Sequence, residues 1–280
     1  MTWLVAEQIR PSIDTLLVSS IAVAVECVVC AIDLLDDIED EDQTPVVREI
    51  GSARVVNTAA ALLLLGQKCI IASAQFGLLP AQVLNLLDTL QDATLIVTTG
   101  QHRDILVEER QASEMTREEC MDIAAQKAGA LFVLACQMAT LCAGADKELA
   151  KLFCELGSVL GIAHQLDNDS HDLYHLLQGK SSIVLPLGEE ASTRSVKTDL
   201  SRRKKTLPIV LAARSGASLT EMVPVTGEDC DEEERQALHE AILTTWGISL
   251  LYRERARDFL QRIEIRRPVL PALRLLLGLT

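Results

Sequence analysis

The chain has 280 residues and a formal net charge of −14 at pH 7. A phosphate backbone would repel so acidic a protein, which excludes nucleic acid as a partner. The eight cysteines lack the paired spacing of a disulfide framework, so we expect a reduced, cytoplasmic protein.

Helical periodicity dominates the chain. Apolar residues make up 49% of it and aromatic residues only 3%, and most of the apolar content is Leu, Ala, Val and Ile. Leu and Ala favour helix, and no segment shows the sustained alternation of a β-strand. The sequence therefore predicts an all-α fold.

The predicted elements begin with a long apolar stretch near the N-terminus. We expect long helices at roughly residues 12–37, 53–74, 80–97, 116–144, 147–178 and 231–263, and shorter ones near 102–112, 206–214 and 268–277. Thr116, with Glu119 three residues later, predicts a capping box at the start of the fourth long helix. The polar stretches 179–205 and 215–230 predict loops.

The run from Leu16 to Leu35 is nearly long enough to cross a bilayer. Glu26 and Asp33 lie inside it, however, and one charge at mid-bilayer costs about 2.5–3.5 kcal/mol on insertion scales. No basic patch precedes the run, as a secretory signal would require. We therefore expect a buried core helix and no membrane span.

The stretch AIDLLDDIEDED, residues 31–42, ends the first apolar run in a series of acids. On a helix, Asp36 and Asp40 lie one turn apart on one face, with Asp37 beside Asp36. Their oxygens can converge on divalent ions, and Mg²⁺ prefers such ligands. An acidic run is usually a solvated helix end, but negative charge at a helix C-terminus is unfavourable.

A second acidic stretch, HQLDNDSHD at residues 164–172, follows another apolar helix. Asn168, Asp169 and Asp172 repeat the spacing of the first cluster. Two such clusters, about half the chain apart, predict two walls of one site that hold a group of Mg²⁺ ions between them.

Three lysines are candidates for holding an anion beside these metals. Lys127 lies in QKAGAL inside a predicted helix, where an ammonium group is costly to bury unless it meets an anion. Lys204 and Lys205 lie in RRKKTLP, after the second acidic cluster. Metal ions together with lysines are typical of a diphosphate site. An ordinary solvated lysine is the alternative for each.

Other metal patterns are weaker. Cys27 and Cys30 form a CxxC inside an apolar helix, but no second pair accompanies them. His164, His171 and His175 lie near the second acidic cluster and could ligate zinc. Solvated or hydrogen-bonding histidines beside a site mouth are the better interpretation.

Five segments resemble, in order along the chain, the motifs of the trans-isoprenyl diphosphate synthases, also called polyprenyl synthetases. They are LLDDIEDED for the first aspartate-rich motif, GQHRDIL with Gln101 and Asp104, QKAGAL with Lys127, HQLDNDSHD for the second aspartate-rich motif, and TDLSRRKKTLP. The resemblance covers roughly residues 10–262. Five motifs in the right order are far more specific than any one of them.

The resemblance implies one domain, residues 1–280, that forms an all-α bundle of isoprenoid synthase type around a deep apolar pocket. It implies three Mg²⁺ ions that hold the diphosphate of an allylic prenyl substrate. The implied metal ligands are Asp36, Asp37, Asp40, Asn168, Asp169 and Asp172. The implied diphosphate-binding residues are Lys127, Gln165, Lys204, Lys205 and Arg10, and the implied pocket residues are Ala31, Ile32 and Gln101.

Ionisation of the substrate is expected to depend on Asp36, Asp40, Asp169 and Lys127. In the resembled family, the residue five positions before the first aspartate limits the length of the chain that is made. Ala31 stands there, and its small side chain indicates a substrate of C15 or longer. Homodimers are common in the family, so we expect a homodimer here.

The chain departs from the family at the second diphosphate site. Arg10 and Pro11 match the N-terminal motif, but Glu7 stands where the family has a lysine, and the spacing from Arg10 to Asp36 is short. The two arginines that follow the first aspartate-rich motif are missing, and Arg48 is the only cation nearby. A second diphosphate would therefore lack its counter-charges.

Three kinds of activity fit this pattern. We favour a terpene synthase of isoprenyl-synthase type, in which double bonds of the substrate attack its own cation. The alternatives are a prenyltransferase with a non-diphosphate acceptor, such as a peptide tryptophan, and a chain elongator with an altered acceptor site or its inactive partner subunit. The scarcity of aromatic residues counts against cyclisation, because aromatic faces steer cations.

Overall fold

The computed structural model describes residues 1–177, 204–215 and 232–278. These residues form eleven α-helices and no β-strand, which confirms the predicted all-α class. The helices are α1 (Thr2–Ile9), α2 (Thr15–Glu39), α3 (Pro45–Ile50), α4 (Ser52–Ala72), α5 (Pro80–Val107), α6 (Arg117–Ala124), α7 (Ala130–Ala143), α8 (Lys147–Leu177), α9 (Leu207–Arg214), α10 (Glu232–Arg266) and α11 (Pro271–Leu276).

Most long helices lie where the apolar periodicity predicts them. The predicted division of residues 80–112 into two helices is wrong, because α5 continues through Gly100 to Val107. Gly100 is buried against the next helical layer, so packing outweighs the low helix propensity of glycine. The short helices α1 and α3 were not expected, and the predicted loops 179–205 and 215–230 lie mostly outside the described residues.

The predicted capping box is confirmed at the start of α6. The Thr116 hydroxyl accepts a hydrogen bond from the Glu119 backbone N–H at 3.1 Å, and the Thr116 N–H donates to the Glu119 carboxylate at 2.8 Å. Arg110 donates to the same carboxylate at 2.9 Å and lowers the pKa of Glu119 to about 2. These bonds fix where the helix that leads to Lys127 begins.

A main core runs between α1, α2, α5, α7, α8 and the C-terminal part of α10. Two smaller apolar clusters pack α9 against α6, α8 and α10, with Val210 and Ala212 of α9 fully buried. Because α9 is anchored in this way, the residues just before it are held against the bundle. Lys204 and Lys205 belong to that anchored segment.

The packing of α8 against α10 is fixed by a polar contact as well as by apolar burial. Asp167 of α8 accepts hydrogen bonds from the Ser249 hydroxyl at 2.5 Å and from the Arg253 guanidinium, both on α10. Asp167 belongs to the second acidic stretch, yet its carboxylate binds the neighbouring helix. Its contacts fix the rotation of α8 and therefore the face that presents Asn168 and Asp169.

Three helical stretches, Thr15–Glu39, Ser52–Phe76 and Arg117–Ala143, have the length and apolar composition that a membrane span requires. In the structure, the first and third pack together in the bundle and are joined by an ion pair between Asp36 and Lys127. That the chain does not span a membrane stays a prediction.

Candidate active site

Lys127 joins three parts of the bundle through one ammonium group. Its Nζ donates to Asp104 Oδ2 on α5 at 2.7 Å and to Asp36 Oδ1 on α2 at 3.3 Å. Burial acts to lower the pKa of Lys127, but the charges of Asp36 and Asp104 outweigh it and raise the pKa. The ammonium group therefore stays protonated, and the anion that its burial requires is provided by two carboxylates of the chain.

Asp40, one turn after Asp36, is buried and pairs with Lys204. The Lys204 Nζ donates to Asp40 Oδ2, and the Asp40 side chain is only 2% exposed. Burial, and then the charge of Asp36, raise the pKa of Asp40, while Lys204 opposes them. Asp40 Oδ1 has no hydrogen-bond partner among the described residues. One ammonium group thus leaves this carboxylate incompletely satisfied.

Lys205 and Glu108 extend the cluster at the end of α5. The Lys205 Nζ donates to the Glu108 carbonyl oxygen at 3.1 Å. Burial and the charge of Asp40 raise the pKa of Glu108, against the opposing charges of Lys204 and Lys205. The sequence analysis did not assign Glu108 to the site. Its position four residues after Asp104 would have placed both on one face of α5.

The second acidic cluster lies on α8. Asp169 is buried, and its Oδ1 accepts a hydrogen bond from Gln165 Nε2 at 2.8 Å. The Asn168 amide lies 3.4 Å from His164 Nε2. The backbone of Asp172 continues α8, but its side chain lies outside the described residues. The structure therefore places two of the three predicted ligands on this wall.

Helix α6, which carries Cys120, packs against both α5 and α8. Burial raises the pKa of this thiol to about 12, and the charges of Asp169, Glu119 and Asp104 add to the effect. Its Sγ also donates to the Lys205 carbonyl oxygen at 3.5 Å. That the acidic clusters of α2 and α8 converge on one site stays a prediction.

The predicted pocket residues are all at least half-buried. Ala31 is fully buried on α2, and Ile32 packs beside it at the edge of the main core. Gln101 is buried on α5, one turn before Asp104, and neither polar atom of its amide has a hydrogen-bond partner among the described residues. The deep apolar pocket around them stays a prediction.

The structure does not bring Arg10 to the acidic cluster. Arg10 follows the last residue of α1 and lies five positions before the 25-residue helix α2 begins, whereas Asp36 lies near the other end of α2. A helix of this length spans about 35 Å. The charge of Arg10 acts instead on the thiol of Cys142, at the far end of α7 from Lys127. The reason is that most of the length of α2 lies between the two residues.

A hard cation such as Mg²⁺ requires several oxygen ligands at one place. No group of three or more carboxylate, thiol or imidazole side chains in residues 1–177, 204–215 and 232–278 is already arranged to hold a metal ion. Lysine ammonium groups instead lie against Asp36 and Asp40. The donors nevertheless suit Mg²⁺, because they are carboxylate oxygens and Asp40 Oδ1 lacks a hydrogen-bond partner.

Comparison with known proteins gives the family. The sequence model of the polyprenyl synthetases matches residues 1–242, most of the chain. The chain belongs to the polyprenyl synthetase family. Its relatives are enzymes, which supports an enzymatic rather than a purely structural role.

Two curated relatives indicate the range of chemistry in the family. The geranylfarnesyl diphosphate synthase of Aeropyrum pernix is 28% identical over 242 residues, which cover 81% of this chain and 70% of that protein. The tryptophan prenyltransferase ComQ of Bacillus spizizenii is 31% identical over 158 residues, 55% of this chain and 50% of that protein. Both are prenyltransferases, so the relatives favour prenyl transfer over the terpene cyclase that we preferred from the sequence.

A solved structure shows the same fold. The polyprenyl synthase from Caulobacter crescentus CB15, complexed with calcium and isoprenyl diphosphate, matches with a TM-score of 0.66 at 21% identity. The match covers 94% of this chain and 76% of that one. At this identity the likeness shows the fold alone.

Cys120 provides a test of how tightly the segment with Lys204 and Lys205 packs on α6. With a pKa of about 12, its thiolate population is about a thousandfold below that of an ordinary cysteine. At pH 8, iodoacetamide should alkylate Cys120 at least ~100-fold more slowly than the half-buried Cys69, as followed by peptide mass spectrometry. In urea the two rates should converge. Equal rates in the native protein would mean that the segment does not cover Cys120.

Proposed function

We propose that the protein is a Mg²⁺-dependent prenyltransferase that ionises an allylic prenyl diphosphate. One observation supports this best: carboxylates of α2 and α5 meet buried lysines from two other parts of the chain at a single place. Membership of the polyprenyl synthetase family supports the same substrate class. The small, buried Ala31 favours a substrate of C15 or longer.

The acidic residues would hold the metals. The proposed ligands are Asp36, Asp37, Asp40, Asn168, Asp169 and Asp172. Magnesium, three ions by our proposal, would neutralise the charge that builds up on the leaving diphosphate. The Asn168 carbonyl oxygen is also a hard ligand, so an asparagine at this position is compatible with the role.

The lysines would bind the diphosphate. Lys127 and Lys204 now contact Asp36 and Asp40, and they can turn to phosphate oxygens when metals take over those carboxylates. Lys205, which donates to the Glu108 carbonyl oxygen, and Gln165, which donates to Asp169, are proposed to join them. The allylic C–O bond breaks with its electron pair going to diphosphate, and the acceptor's electron pair then forms the new bond to carbon. The acceptor finally loses a proton.

The acceptor is proposed to lack a diphosphate. Arg10 lies at the opposite end of α2 from Asp36, Glu7 replaces a lysine, and Arg48 is exposed on α3. A second diphosphate would therefore lack its cations. A tryptophan-containing peptide is the acceptor class that best suits this arrangement, and one relative is named as a tryptophan prenyltransferase.

Chain elongation with isopentenyl diphosphate is the second candidate. The geranylfarnesyl diphosphate synthase match extends over 242 residues, much further than the match to the tryptophan prenyltransferase. Cyclisation has less support, because no relative named above is a cyclase and aromatic residues are few.

Product analysis separates these activities. The purified protein would be incubated with Mg²⁺ and geranyl, farnesyl or geranylgeranyl diphosphate, alone, with isopentenyl diphosphate, or with a tryptophan-containing peptide. We expect diphosphate release and a prenylated peptide in the third condition. Longer diphosphates in the second condition would establish elongation instead. Hydrocarbon or terpene alcohol from the substrate alone would establish cyclisation, and no release in any condition would contradict the proposed ionisation.

Replacement of the first-cluster aspartates tests their proposed role. Asp36→Asn or Asp40→Asn should lower diphosphate release by more than ~100-fold, because each removes a charged metal ligand. Asp33→Asn is the matched control, since Asp33 is exposed on the same helix. Circular dichroism should show unchanged helix content in all three variants. Wild-type release by Asp36→Asn and Asp40→Asn would remove this cluster from the metal site.

A homodimer is proposed to form through the outer face of α4 and α5. Large apolar side chains are exposed on these neighbouring helices, including Leu64 at 62%, Leu84 at 67% and Leu95 at 65%. An exposed apolar area of this kind is typical of a protein interface. We also propose that the protein is cytoplasmic.

The oligomeric state tests this face directly. Light scattering coupled to gel filtration should give twice the mass of 30.6 kDa for the wild type. Leu64→Glu and Leu95→Glu should shift the protein to a monomer, because a buried charge is costly at an apolar interface. Leu251→Glu, on the equally exposed α10 position, should leave the dimer intact. A monomeric wild type, or dimers in all variants, would contradict the proposal.

A further inference from the structure

Lys127 lies in the middle of a π turn. Residues Ala125–Gly129 form this turn between α6 and α7, inside one continuous helical stretch. A π turn adds a residue to the helix and redirects the side chains around it, at some cost in backbone hydrogen bonding. Such a turn persists only where its surroundings hold it, so the contacts around it matter for where Lys127 points.

Two glycines, one on α8 and one on α5, lie in close contact with this π turn. A Cβ on Gly161 of α8 would lie 2.6 Å from the Ala128 carbonyl oxygen and 2.7 Å from the Gly129 Cα. A Cβ on Gly100 of α5 would lie 2.7 Å from the Gln126 Cβ and 3.1 Å from the Lys127 backbone nitrogen. Contacts this short require the backbone of the π turn to move.

Polar contacts hold the turn on the α5 side as well. Arg103 Nη1 donates to the Gln126 side-chain oxygen at 2.8 Å. Asp104, the residue after Arg103 in α5, accepts the 2.7 Å hydrogen bond from Lys127 itself. The α5 segment around Gly100 therefore holds both the backbone of the turn and the ammonium group that it presents.

We propose that Gly161 and Gly100 are positioning residues that set where the Lys127 ammonium group stands. Neither touches the reacting atoms, and both act through the π turn. A methyl group at either site pushes the turn away from α8 or α5, which moves Lys127 relative to Asp36 and Asp104. A displacement of 1 Å at a diphosphate-binding group is enough to weaken its interaction. The inference depends on the proposed role of Lys127 in diphosphate binding.

Gly157 provides a matched control on the same helix. A Cβ at this position would lie 2.8 Å from the Phe132 carbonyl oxygen, so Gly157→Ala introduces a comparable clash against α7. Phe132 follows the π turn, and the clash falls more than one turn beyond Lys127. A general loss of helix packing would affect the variants at positions 157 and 161 alike. If the glycine acts by positioning Lys127, diphosphate affinity should fall in Gly161→Ala and not in Gly157→Ala.

The experiment measures the affinity of the full chain for inorganic diphosphate with Mg²⁺, by calorimetry. Gly161→Ala and Lys127→Met should each weaken binding by about tenfold. Gly157→Ala should stay within about twofold of the wild type, although its melting temperature falls like that of Gly161→Ala. In a Lys127→Met background, Gly161→Ala should have no further effect, because two changes that act through one group are not additive.

Each alternative result has a separate meaning. Equal weakening by Gly157→Ala and Gly161→Ala, or fully additive effects in the double variant, would overturn the positioning role. Weak binding by Lys127→Met with wild-type binding by Gly161→Ala would overturn it too, while leaving the proposed function intact. Wild-type binding by Lys127→Met would contradict the proposed diphosphate site itself. If Gly161→Ala does not fold, Gly100→Ala provides the same comparison from the α5 side.

Discussion

Carboxylates gathered inside a helical bundle have to be neutralised, and lysine side chains provide the positive charge in this protein. Lys127 lies between Asp36 and Asp104, and Lys204 pairs with the buried Asp40. Burial still raises the pKa of Asp40 despite its lysine. The negative charge of the cluster is therefore not fully neutralised by its lysines, and a hard divalent cation can neutralise the remainder.

The rest of the fold serves to hold this cluster in place. Asp167 binds Ser249 and Arg253 and so fixes the rotation of α8, which presents Asp169. The apolar contacts of α9 keep Lys204 and Lys205 near the end of α5. The π turn at Lys127 is held from two sides by close-packed glycines. Packing and hydrogen bonds outside the cluster thus position its charged groups, in addition to the ion pairs between them.

Much of this arrangement can be read from the sequence, because periodicity and acid spacing are local properties. The all-α class, the capping box at Thr116 and the presence of Lys127 beside carboxylates follow from such patterns. The continuity of α5 through Gly100 does not, since it depends on packing against another helix. The separation of Arg10 from Asp36 follows from the length of α2, and Glu108 lies one turn after Asp104, so the sequence holds a local signal for both.

We propose that α2 and α8 hold the same group of metal ions. Bound Mn²⁺, as a substitute for Mg²⁺, can be counted by electron paramagnetic resonance with inorganic diphosphate present. We expect Asp36→Asn and Asp169→Asn each to reduce the number of ions bound per chain. If either variant kept the full wild-type number, one acidic cluster would bind the metals without the other, and the shared site would be contradicted.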